Sequence, residues 1–142
     1  MDVTLGLLAD AANTTENGKL NVLGVFSKIN PTAFPTQVPA MQIVLRFEAD
    51  SVERGERKAL EIRLVDQDGG ELLKVEGNLD IPAEAPGGAP VEMQTIIGLA
   101  GVTFQRPGPH AFVVMVTGAR PLRIPLNVSD VGEPAVESKE GA

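Results

Sequence analysis

The chain has no cysteine, no tryptophan, no tyrosine and a single histidine, His110. Without cysteine there is no disulfide, no thiolate nucleophile and no thiolate metal ligand. One imidazole does not make a transition-metal centre, so no metal or other cofactor is expected. Five phenylalanines are the whole aromatic content. A core consumes that number, which leaves no stacking platforms for bases or sugars. Long hydrophobic runs are missing too. The first apolar stretch, residues 5–12, is broken by Gly6 and Asp10, so no segment reads as a signal peptide or a transmembrane helix. Basic residues are the minority, 12 Lys and Arg against 19 Asp and Glu for a formal charge of −7. That balance argues against nucleic acid and against an anionic membrane surface, and it favours solubility. The expectation is a soluble cytoplasmic protein.

What is present is alternation. At 142 residues the chain is one domain with enough length to bury a core. Residues 3–9 read as a first strand with Leu5 and Leu7 facing the core. Asn17-Gly18 supplies two residues that tolerate positive φ at a hairpin turn. Residues 20–29 return, with Val22 and Phe26 on one face and Leu23 and Val25 on the other. Pro31, Pro35 and Pro39 lack the ladder N–H, so residues 30–40 read as an extended crossing between sheets, anchored by Phe34. Strands follow at 41–50, 57–66, 71–81, 91–99, 110–117 and 122–128, with turn residues between them and Phe104 plugging the 100–109 connection. Ile43, Leu45, Phe47, Leu60, Ile62, Leu64, Val75, Phe112, Val114, Ile124 and Leu126 complete the expected core. About eight strands and no helical period predict an all-β chain. We read it as an antiparallel, immunoglobulin-like β-sandwich, with a barrel as the alternative that periodicity leaves open. The domain spans residues 1–130, and residues 131–142 read as a flexible acidic tail.

Three segments carry a resemblance. They are Leu7-Leu8-Ala9-Asp10-Ala11-Ala12-Asn13 running into Gly18-Lys19-Leu20-Asn21-Val22-Leu23-Gly24; Leu60-Glu61-Ile62-Arg63-Leu64-Val65-Asp66 with Asp68-Gly69; and Pro107-Gly108-Pro109-His110-Ala111-Phe112-Val113-Val114 with Ile124-Pro125-Leu126. Together, over about residues 2–128, they resemble a family of small uncharacterised bacterial β-sandwich proteins of unknown function. The resemblance implies a fold and no activity. Relatives often carry tyrosine at the place of His110, in a Gly-x-Tyr-x-Phe pattern. Here an imidazole must make a different hydrogen bond from the hydroxyl of a tyrosine corner.

Candidate chemistry is sparse. His110 alternates with Phe112, Val114 and Val116 on the core-side register, and no serine stands in a nucleophile-elbow context. Residues 66–71, Asp-Gln-Asp-Gly-Gly-Glu, have the composition of a tight turn. The competing reading is a calcium clamp at the end of the sandwich, to which Glu48, Asp50 and Glu53 would contribute. Glu61 and Glu76 fall on outward registers, where cross-strand ion pairs explain them. Gly87-Gly88 lacks the lysine and helix of a phosphate loop. These gaps predict a protein that is not an enzyme.

The least ordinary pattern lies on the last hairpin. Ala111, Val113 and Met115 occupy outward positions where polar residues are the rule, and Val44 repeats the oddity on another strand. A contiguous apolar surface marks an interface unless the chain itself covers it. The sequence thus predicts a non-catalytic domain that self-associates or binds a protein partner through Val44, Ala111, Val113 and Met115. The alternative is a small-ligand or calcium module that uses the loops at the end of the sandwich.

Overall fold

The alternating segments pair into nine strands: β1 (Asp2–Thr14), β2 (Leu20–Phe26), β3 (Lys28–Ile29), β4 (Thr36–Ala49), β5 (Arg57–Asp66), β6 (Glu71–Asp80), β7 (Val91–Phe104), β8 (Gly108–Val116) and β9 (Leu122–Val128). The structure, a computed structural model, describes residues 1–83 and 90–131. Most of the expected 82–90 loop and, beyond Val131, the expected acidic tail lie outside the described residues. The strands form two sheets, ordered β2-β1-β4-β7 and β3-β9-β8-β5-β6. Every pairing is antiparallel except the short parallel β3–β9 ladder. The architecture is a two-sheet β-sandwich, which settles the sandwich-or-barrel alternative. Among the described residues the only helical turn is 3₁₀, Ser51–Glu53, and no helix is long and apolar enough to cross a membrane.

The core sits between the sheets. Leu8, Met41, Ile43, Leu45 and Phe47 from one sheet meet Leu60, Ile62, Leu64, Phe112, Val114, Ile124 and Leu126 from the other. Phe104 closes one end, and Ala49, Ile81 and Val91 form a small satellite cluster. Phe34 packs against the core as expected. At Gly6 the sheets approach closely, and a Cβ there would overlap the Leu122 side chain, which accounts for a glycine inside a strand.

The register of β1 differs from expectation. Leu5 and Leu7 pair with Arg46 and Val44 on the outward face, while Val3 and Leu8 face the core opposite Phe47 and Ile43. An irregularity between Val3 and Leu5 shifts the parity, and a strand with apolar groups on both faces hides such a shift. Val75 is half-buried, because β6 is an edge strand. The strand at β4 begins at Thr36, inside the expected crossing, with Pro39 between the pairs Val38–Val102 and Ala40–Ala100. Proline is tolerated there because β1 stops pairing with β4 beyond the Ala9–Gln42 pair, so β4 has a free side at that point. The expected 100–109 connection likewise continues β7 to Phe104. The expected strand 20–29 divides at Ser27 as the chain passes from one sheet to the other.

Candidate functional site

The four residues expected to share a surface lie on opposite sheets. Val44 is in β4, and Ala111, Val113 and Met115 are in β8. Val44 points outward between Leu7 and Ile96, yet it is 0% exposed. Its cover is the β1–β2 hairpin. Beyond Ala9 the two strands pair only with each other, through register contacts from Ala9–Val25 to Thr14–Leu20. The turn carbonyl of Gly18 accepts a hydrogen bond from Gln94 Nε2 at 3.1 Å. Gln94 is paired with Arg46 on the outward register of β7, at the far edge of the sheet. That bond requires the hairpin to fold back across the outward face of β4. Gly24 has φ 71°, and the Asp10 carboxylate occupies the space a Cβ would need. Only glycine meets both conditions at low cost.

On the other sheet, Ala111, Val113 and Met115 are mid-face. Val113 lies between Arg63 of β5 and Arg123 of β9, and Met115 lies beside Glu61. Ala111 is only 1% exposed, between Val65 and Pro125. A run of ion pairs flanks this stripe: Arg63–Glu61 at 2.8 Å, Arg63–Glu71 at 3.6 Å, Lys74–Glu61 at 3.5 Å and Lys74–Glu76 at 3.7 Å. The Arg63 hydrogen bond holds the Glu61 carboxyl below its ordinary range. Val113 and Met115 are therefore half-buried among long charged stems, which cover apolar surface with their methylenes.

Apart from Val52 in the 3₁₀ turn and Val131 after β9, the exposed large apolar groups among the described residues are on the hairpin. Leu23 is 72% and Val25 60% exposed, on the edge strand β2. They sit on the register shared with Ala9 and Ala11. Alternation places them together on one face, but a strand with apolar residues on both faces does not show which of them stays open.

The expected turn chemistry at the sandwich end is present. Asp66 Oδ1 accepts from the backbone N–H of Asp68 at 2.9 Å and of Gly70 at 2.8 Å, and Arg106 approaches Oδ2 at 3.3 Å. The Gly70 hydrogen bond foremost, with those from Asp68 and Arg106, holds this carboxyl below its usual range. Glu53 stands elsewhere. It accepts from the N-terminal amine at 2.8 Å and from the Asp50 amide at 2.9 Å, and it pairs with Lys58 at 3.1 Å. Lys58 is the second residue of β5 and Asp66 its last, a separation of roughly 25 Å along an extended strand. The acidic groups of the expected calcium clamp are thus divided between opposite ends of the sandwich. Among the described residues no three His, Cys, Asp or Glu gather as a metal site. His110 lies inward and buried, edge-to-face against Phe104 with ring centroids 5.1 Å apart. Among the described residues the one hydrogen bond of its ring joins Nδ1 to the Gly108 carbonyl at 2.9 Å.

Comparison with known proteins gives a family and no activity. Residues 4–129 match a family of unknown function, DUF6941. The match covers nearly the whole described domain, and the chain belongs to that family. No curated protein matches it.

Proposed function

We propose that this member of the family is a non-catalytic β-sandwich that works by association, and that it pairs with a second copy of itself along the free edge of β2. The observation that carries the reading is the exposure of Leu23 and Val25 on one edge strand. Edge strands are ordinarily guarded by charge, proline or shortness. Of the other edge strands, β6 carries Glu71, Lys74, Glu76 and Asp80, β7 carries Glu92, and β3 has two residues, beyond which the open side of β9 carries Arg123 and Pro125. The seven residues of β2 contain neither charge nor proline. A strand edge is self-complementary. Antiparallel pairing about a two-fold axis extends both sheets, matches apolar groups with their copies and sets no like charges together. Removing this apolar surface from water drives the contact at about 25 cal/mol per Å², offset by the entropy of association.

The test is solution mass by light scattering at micromolar concentration. A dimer is expected for the wild type and a folded monomer for the Leu23→Lys, Val25→Glu double variant. A monomeric wild type overturns the reading. So does a double variant that keeps the dimer mass. If the dimer is lost instead in a Val113→Glu, Met115→Lys variant, the outward face of β8 is the interface.

A further inference from the structure

His110 combines two properties that pull in opposite directions. It is only 7% exposed, and one of its ring nitrogens has no partner among the described residues. A carbonyl oxygen can only accept, so the bond to Gly108 assigns the proton of the neutral ring to Nδ1. Nε2 is then left with a bare lone pair. It is not among the buried polar atoms sealed from solvent, and the ring lines a cleft of about 280 Å³ at the end of the sandwich. An acceptor that opens on a cavity takes its donor there, and a ligand that displaces water from it must replace that hydrogen bond.

The rest of the cleft narrows the chemistry. Leu72, Pro107 and Pro109 make an apolar wall. Arg106 stands at the cleft too, already shared between Asp66 at 3.3 Å and Asp68 at 3.9 Å. An anion would find that guanidinium neutralised by two carboxylates, and a cation would find the Asp66 carboxylate already taken by the guanidinium and two backbone amides. We propose that this cleft is a binding site for a small uncharged molecule with an apolar body and one O–H or N–H group, which donates to His110 Nε2 while the body packs on Leu72 and the two prolines. Nothing in this site depends on the β2 edge.

Three probes with one ring and three head groups separate the possibilities: benzyl alcohol, benzoate and benzylammonium. The readouts are the ¹⁵N shift of His110 Nε2 and the methyl shifts of Leu72. Benzyl alcohol is expected to shift both saturably, with an affinity at least tenfold above the two charged probes, and to give intermolecular NOEs to the His110 ring. In His110→Phe, which keeps the ring contact with Phe104, the Leu72 response should fall at least tenfold. The proposal is overturned if benzyl alcohol gives no saturable shift, if either charged probe binds more tightly, or if His110→Phe binds the alcohol as well as the wild type. Should that variant fail to fold, absence of the NOEs in the wild type overturns it equally.

Discussion

The outward faces of the two sheets pose one problem and solve it differently. Each bears apolar residues on a register where water is the default neighbour: Leu5, Leu7, Val44 and Ile96 on the four-stranded sheet, and Ala111, Val113 and Met115 on the five-stranded one. On the first, the chain supplies the cover. The β1–β2 hairpin bends at Asp10 and Gly24 and reaches Gln94 across the face. On the second, no described segment folds over, and rows of Glu61, Arg63, Lys74 and Arg123 flank the stripe. A cover of chain buries Ala9 and Val44, and among the described residues it leaves buried polar atoms without partners, Gln42 Oε1, Arg46 Nε and Gln94 Oε1 among them. A cover of charged stems keeps its polar ends in water. The lesson is that outward apolar alternation identifies neither an interface nor a core. Coverage has to be known. It also moves the exposure elsewhere, because the hairpin that hides Val44 presents Leu23 and Val25.

The largest expected effect tests the two covers directly. Val44→Asp places a charge beneath the hairpin without a partner and should cost about 3–5 kcal/mol. Val113→Asp, set between Arg63 and Arg123, should cost about 1 kcal/mol or less. Urea unfolding of both variants is the measurement, and equal midpoints would mean that the hairpin does not cover the face. Next comes the bend. Gly24→Ala demands a left-handed conformation from a residue with a Cβ and pushes on Asp10, for about 1–3 kcal/mol. Amide exchange should quicken across residues 10–25 while β8 stays protected.

Gln94→Ala removes the hydrogen bond from β7 to the hairpin turn and should cost about 0.5–1.5 kcal/mol. The hairpin amides near Gly18 should exchange faster, and the far sheet should not respond. The smallest effect belongs to the charged cover. Because the folded carboxyl of Glu61 lies below its unfolded value of 4.5, its contribution is complete above that pH. It is lost as the solution is acidified through the lower, folded value. Exposed pairs contribute little, so a melting series from neutral pH into acid should fall slightly more steeply for the wild type than for Glu61→Gln. A steeper fall in the variant would show that Glu61 is not stabilised by Arg63 and Lys74.

The sequence by itself determined the elements where one face is apolar and the other polar. In β5, Leu60, Ile62 and Leu64 alternate with Glu61 and Arg63, so register, strand limits and burial all follow from composition. The same holds for β9 and for the turn that Asp66 organises. The tertiary structure alone decided the rest. In β1, Leu5, Leu7 and Leu8 are interchangeable to any periodicity, and only the irregularity after Val3 tells which of them faces the core. Pro39 disguised the start of β4, because whether a proline disrupts a ladder depends on which neighbour is present at that height of the sheet. The fate of Val44 rests on a bend at Gly24 and a hydrogen bond spanning 76 residues. The opening of His110 Nε2 onto a cleft depends on where Gln105, Arg106 and Pro107 come to rest against the Asp66 turn. Alternation is a local property carried by neighbouring residues. Coverage and cavity are properties of segments far apart in the chain, and packing brings them together.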